Sequence, residues 1–236
     1  MIDLKEERAF GELRRLGRKL HIPVPEAFWA LEVFDKNGRL IRKYHTRSHS
    51  WTRNYYNYLF CAVAAKNGSD ALFGAGKLNV KDTAGVVQNG NAGITTNTGV
   101  NLDLVSDSDG VIVRSAITSR GIVVGSGANV ENFENFELQT PIAEGTGAGE
   151  LNAVESESHV ISENGLILID TQVRFFNNNS GGNVSINEVA LVNGIYCGGG
   201  GRYNTMMTRD KLGATVTVPD TGQLKVTYTI QLTYPA

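Results

Sequence analysis

The sequence predicts a mainly β protein: an antiparallel β-sandwich or jelly-roll-like domain with an N-terminal amphipathic helix and one further buried helix near residues 50–66. Three observations predict it. Helical periodicity is confined to the first third of the chain. Beyond about residue 66 the composition turns to Gly, Asn, Thr and Ser with short Val/Ile/Leu runs. Near the C-terminus Leu224, Val226, Tyr228, Ile230, Leu232 and Tyr234 alternate with polar residues at period two. Strands that follow one another without intervening helices pair antiparallel and stack in layers. The expected division is a helical arm over 1–25 and a β-rich domain over 26–236, with a subdivision left open near 66–100.

Residues 2–20 read as the first helix, because Phe10, Leu13, Leu16 and Leu20 recur near helical spacing with Arg14, Arg15, Arg18 and Lys19 between them. Asp3, Glu6 and Glu7 crowd its first turn and the basic cluster its last, matching the partial charges at helix ends. Pro23 and Pro25 are expected to stop it. So narrow an apolar stripe must be buried, either against the rest of this domain or against a neighbouring subunit, and the sequence leaves both open.

Residues 27–44 read as a hairpin around Asp35-Lys36-Asn37-Gly38, since Asn-Gly is the strongest short turn signal. Ser50 is then the expected cap of a mostly buried helix, with Trp51, Tyr55, Tyr58, Leu59 and Ala62 on one face and Tyr56, Phe60 and Val63 on a second. Asn67-Gly68 would end it. Further strands are expected at 111–113, 121–124, 137–138 and 166–176, and a closing hairpin joins 215–218 to the alternating terminal strand through Pro219-Asp220-Thr221-Gly222. Three polar loops, 74–100, 177–183 and 198–201, are expected to be too flexible and polar for the core.

The balance of 22 Lys+Arg against 24 Asp+Glu, net charge -2, argues against a general nucleic-acid binder, which needs a basic stripe for the phosphate backbone. Cys61 and Cys197 build neither a disulfide framework nor a zinc site. No signal peptide is apparent, and no apolar run approaches membrane-spanning length. The glycine-rich 121–127 segment lacks the Lys-Ser/Thr pair and following helix of a phosphate loop.

His45 and His49 stand four apart without the remaining ligands of a metal site, and Asp107-Ser108-Asp109-Gly110 lacks the Glu that closes a calcium loop. Glu150, Glu155, Glu157 and Glu163 are acids of unknown separation, and no nucleophile elbow is present. Cys61, on a buried helix, is expected to be inert. Trp51, Tyr55, Tyr56 and Tyr58 with Arg53 read as core rather than as a stacking platform for bases or sugars, because they occur all round the helix. No catalytic, cofactor-binding or metal-ligating residue is assigned, and no cofactor is expected.

Residues 48–57 (Ser-His-Ser-Trp-Thr-Arg-Asn-Tyr-Tyr-Asn), 121–142 with Val-Val-Gly-Ser-Gly and Leu-Gln-Thr-Pro-Ile, and 186–191 through Met207-Thr208-Arg209-Asp210 to the terminal Tyr-Thr-Ile-Gln-Leu form a third set of signals. In them the chain resembles structural proteins of tailed-bacteriophage virions. The resemblance implies a non-enzymatic virion subunit, capsid-associated, head–tail or tail, made and assembled in the host cytoplasm. Its partners would be copies of itself and other virion proteins, with neither nucleic acid nor membrane.

On that reading Phe10, Leu13, Leu16 and Leu20 are the expected assembly contacts. The alternative is a carbohydrate-binding or host-adhesion module of a phage particle, with Tyr196 and Tyr203 beside the glycine run stacking on a host-surface glycan. An envelope-degrading enzyme ranks last, because no nucleophile, metal set or acid pair can be assembled.

Overall fold

The computed structural model describes residues 4–64, 79–88, 110–197 and 201–235, except for the side chains of 62–64, 196–197 and 201. In chain order the elements are α1 (Leu4–Leu20), β1 (Val24–Phe34), β2 (Leu40–Arg47), α2 (Arg53–Ala64), β3 (Val80–Lys81) and β4 (Val87–Gln88). They are followed by β5 (Gly121–Gly125), β6 (Asn152–Ala153), β7 (Val160–Asn164), β8 (Ile167–Asn177), β9 (Val184–Cys197), β10 (Gly201–Val218) and β11 (Gln223–Thr233). One sheet runs β2-β1-β11-β8-β6 with β7 also paired to β8, a second runs β10-β9-β5, and β3 pairs with β4. The strand pairs are antiparallel, as the succession of strands without crossover helices requires.

The alternation in β11 sets the first layer. Leu224, Val226 and Tyr228 are buried, and they lie opposite Val33, Leu31 and Trp29 of β1. The Trp29 and Tyr228 rings meet at 4.1 Å. Facing them across the sandwich are Ile122, Val124, Val189, Leu191, Val216 and Val218 of the second sheet, in the same core cluster. That second sheet is covered on both sides, which is why β5 and residues 189–192 of β9 are continuous apolar runs rather than alternating ones. Val123, Ala190, Val192 and Met206 point away from the first sheet and pack with Leu138.

The hairpin turn forms as its residues dictate: Gly38 takes φ +74°, and Asp35 accepts hydrogen bonds from the backbone N–H of Asn37 and Arg39. Helix α1 ends before either proline is reached. His21 adopts φ 55°, its N–H bonds Arg18 O, and Ile22 N–H bonds Gly17 O, the paired closure of a left-handed cap. Gly17 is required there, since a Cβ would sit 2.5 Å from Val24 Cγ2.

Four local expectations are corrected. Ser50 does not cap α2, which starts at Arg53; Ser50 O instead accepts Arg209 N–H, and Trp51 bridges to Thr208 of β10. The helix is buried along one face only. On that face Asn54 and Asn57 donate to the carbonyls of Lys81 and Asn79 and so hold β3, and Tyr55 and Tyr58 pack against Val80, Ile195 and Met207, while Tyr56, Leu59 and Phe60 are exposed.

Residues 111–113 and 137–138 form no strand, although Ile112, Val113 and Leu138 are buried. Val113 exchanges hydrogen bonds with Ser156, and the N–H groups of Gln139 and Thr140 go to the Glu188 carboxylate instead of to a neighbouring strand. The 177–183 loop is anchored in the interior: Asn178 is fully buried and donates to the carbonyls of Gly182, Val218 and Pro219. The expected helix end at Asn67-Gly68, all of 198–200 and most of 74–100 lie outside the described residues.

Candidate interaction site

Helix α1 lies on the outer face of the first sheet and is attached by charge. Arg47, opposite Phe28 in the β1–β2 ladder, is 1% exposed and faces α1 from below. Its guanidinium pairs with Glu26 and reaches Glu7 at 2.6 Å, while Glu6 approaches its Nε at 3.1 Å. Arg14 of α1 clasps Glu26 with both carboxylate oxygens at 2.7 and 2.9 Å and extends to Glu7 at 2.7 Å. The Phe10 ring covers the Arg47 guanidinium at 3.8 Å, and Phe28 contacts it at 4.6 Å. Cations and carboxylates thus alternate through a network whose centre, Arg47 and Glu26, is shut off from water.

Such a network holds because its partners compensate one another; removing one leaves a buried charge, a loss of about 3–5 kcal/mol. The hydrogen bond from Arg14 holds the Glu7 carboxyl below its ordinary value, and the Glu26 carboxylate raises Arg14. Glu6 also meets His49 Nε2 at 2.6 Å.

The docked face of α1 is therefore Glu6, Glu7, Phe10, Arg14 and Gly17. Leu13, Leu16 and Leu20 lie on the adjoining face and are 46%, 41% and 59% exposed. Of the four residues expected as assembly contacts, Phe10 is engaged within the chain and the three leucines are turned to solvent. The sequence missed the clamp residues Arg47, Glu26 and Arg14. The signal available was Glu26 on a strand with Arg14 in a helix, but nothing in the spacing joins them.

Other singled-out residues are dispersed. Tyr203 is partly buried against Val80, Ile195 and Met207, in the packing between β10 and β3. The Tyr196 side chain lies outside those described. His45 stacks on Phe28 at 5.8 Å, and burial lowers its pKa, whereas His49 turns to Glu6, so the two imidazoles do not converge.

Glu150 accepts Gly147 N–H in its own turn; Glu155, Glu157 and Glu163 are exposed. Cys61 is buried, which pushes its thiol up. Among the described residues no group of three His, Cys, Asp or Glu side chains is placed to hold a metal ion, and no helix is long and apolar enough to cross a membrane.

Two further ionic groups lie in the interior. Arg174 is fully buried and donates to the carbonyls of Val154, Arg120 and Ile122, tying β8 to the entry of β5. Burial lowers its pKa to about 10. Asp210 projects into the core between the sheets. It accepts Trp29 Nε1–H at 2.8 Å, Ser48 Oγ–H at 2.6 Å and His49 N–H at 2.7 Å. Both groups position backbone rather than open onto a cleft.

No family model, curated protein or solved structure matches this chain.

Proposed function

We propose that the chain is a non-enzymatic structural subunit of a tailed-phage virion, capsid-associated, head–tail or tail, that works by protein–protein assembly in the host cytoplasm. One observation carries the assembly part of this reading: α1 is fixed to its own domain by its charged face, which leaves Leu13, Leu16 and Leu20 exposed on a rigid support. Each leucine side chain taken fully out of water is worth about 1.5–3 kcal/mol. A preformed helix also loses little further backbone entropy when it is covered. The virion part is supported by the resemblance of 48–57, 121–142 and the β9–β11 residues.

Light scattering across a concentration series tests the reading. The intact chain is expected to form a defined oligomer, and Leu16→Asp to dissociate it into monomers that keep the native circular-dichroism spectrum, because position 16 is exposed within the subunit. An intact chain that stays monomeric at every concentration, alone and with particle proteins, would sink the proposal.

A further inference from the structure

The start of α2 and residues 130–133 line an open surface cleft of about 710 Å³. Its walls include Trp51, Tyr56, Glu131, Asn132 and Phe133, with His49 and Ser50 at the α2 side. Tyr56 and Phe133 are 50% and 45% exposed, with ring centroids 5.8 Å apart and planes inclined by 46°. Trp51 and Tyr56 both pack against Tyr55, at 4.1 and 5.5 Å, so two of the three rings of the cleft are braced by that side chain.

The other wall is equally fixed. Arg53 grips Glu134, its guanidinium lies 4.9 Å from the Phe133 ring centre, and its backbone N–H bonds Phe133 O. Asn132 accepts Glu134 N–H, Asn135 accepts Asn132 N–H, and the buried Arg209 holds the carbonyls of Asn129 and Val130.

Four hydrogen-bonding groups at the cleft are unused. The indole N–H of Trp51, the Ser50 hydroxyl, the Glu131 carboxylate and the Asn132 amide nitrogen have no partner among the described residues. They supply a donor, an acceptor and two groups of mixed or donor character beside aromatic faces.

We propose that this cleft is a binding site for a neutral oligosaccharide built of pyranose rings. A pyranose presents a face of C–H groups and an edge of hydroxyls that both donate and accept, which is the complement of braced rings alternating with free polar groups. A nucleic acid or an acidic sugar is disfavoured: the Arg53 guanidinium is already committed to Glu134, and Glu131 places a carboxylate among the lining residues. An apolar helix is disfavoured because the rings form no continuous groove. The inference stands on residues separate from the α1 stripe, so it survives or fails independently of the assembly reading.

Trp51 makes the test direct. The only other tryptophan, Trp29, is fully buried and bonded to Asp210, so a saccharide can alter the emission of Trp51 alone. The full chain is titrated with maltotriose, cellotriose and triacetylchitotriose, and with trigalacturonate as the anionic control. At least one neutral trimer is expected to give a saturable change with a Kd on the order of 1 mM. Tyr56→Ala and Phe133→Ala, at half-exposed positions, are each expected to weaken it by about tenfold while keeping the thermal midpoint, and Glu131→Gln by a few-fold.

Absence of a saturable response to all three neutral trimers overturns the proposal, as does undiminished binding in both ring variants or tighter binding of trigalacturonate. Loss of an oligomer on Tyr56→Ala without any saccharide response would assign the cleft to subunit contact and overturn it as well.

Discussion

Glu188 of β9 and Arg209 of β10 form an ion pair with Oε2 and Nε 2.8 Å apart and both side chains at most 2% exposed. Neither is left with idle valences. Glu188 also accepts the N–H groups of Gly127, Gln139 and Thr140, and Arg209 donates to the carbonyls of Asn129 and Val130 and to Asn135 Oδ1. The pair therefore joins the second sheet to the irregular layer over its outer face, using ionic groups where strand pairing is absent. Arg209→Met removes the countercharge and takes the donor from two backbone carbonyls, of Asn129 and Val130, and from Asn135 Oδ1. A loss of about 3–5 kcal/mol is expected in urea unfolding, and a loss below about 1 kcal/mol would show that the layer is held otherwise.

The same layer makes Gly127 intolerant of a side chain. A Cβ there would stand 2.5 Å from Glu188 Oε1 and 2.6 Å from Gln139 Cβ, and the residue's own N–H donates to Glu188. Gly127→Ala must displace a carboxylate that has three other commitments, to Gln139, Thr140 and Arg209, so it is expected to destabilise by about 1–3 kcal/mol. Gly182, where a Cβ meets nothing within 4 Å, is the control: Gly182→Ala should leave the unfolding midpoint within experimental scatter. Equal effects at the two sites would refute the steric account.

These contacts also explain which parts of the fold the sequence discloses. The β1–β2 hairpin and β11 are legible because Asn37-Gly38 and a strict period of two are local signals. The charged run Arg209-Asp210-Lys211 lies mid-strand in β10, and its partners Glu188, Trp29 and Ser48 are 21 to 181 residues away, so no window of sequence joins them.

The stripe of α1 was legible as a stripe, but not the face by which the helix docks. Apolar spacing points to the leucines, whereas the docked face is chosen by Arg47 and Glu26 of the neighbouring hairpin. In α2 the aromatic spacing pointed to burial, yet Asn54 and Asn57 turn inward because β3 offers backbone groups to their amides. For the aromatic cleft, sequence supplied Trp51 and Tyr56 but not Phe133, which arrives from a segment remote in sequence from α2.

The α1 clamp carries a pH dependence of definite sign. Glu7 titrates below its ordinary 4.5 in the folded chain, chiefly through the hydrogen bond from Arg14 and also through Arg47. Its contribution to docking is therefore complete above that ordinary value and is lost as pH falls through the folded value. Hydrogen exchange of the α1 amides, corrected for intrinsic rates, is expected to accelerate on acidification below about pH 4.5 ahead of β1 and β11. Glu7→Gln should remove that acid step. An identical step in the variant would assign it to another group.

Asp210 has the opposite sign. Burial raises its carboxyl above the ordinary 3.8 despite the hydrogen bonds from Ser48, His49 and Trp29. Between 3.8 and the folded value, the folded state keeps a proton that the unfolded chain has released. Stability from this group is thus highest below 3.8, falls as pH rises through the window, and is constant above it. Asp210→Asn cannot titrate, so the stability of the native chain minus that of the variant isolates the effect from the other carboxylates. That difference, from urea midpoints between about pH 3 and pH 8, is expected to shrink with rising pH and then level off. A difference that grows with pH would mean that the three donors outweigh burial and place the folded value below 3.8.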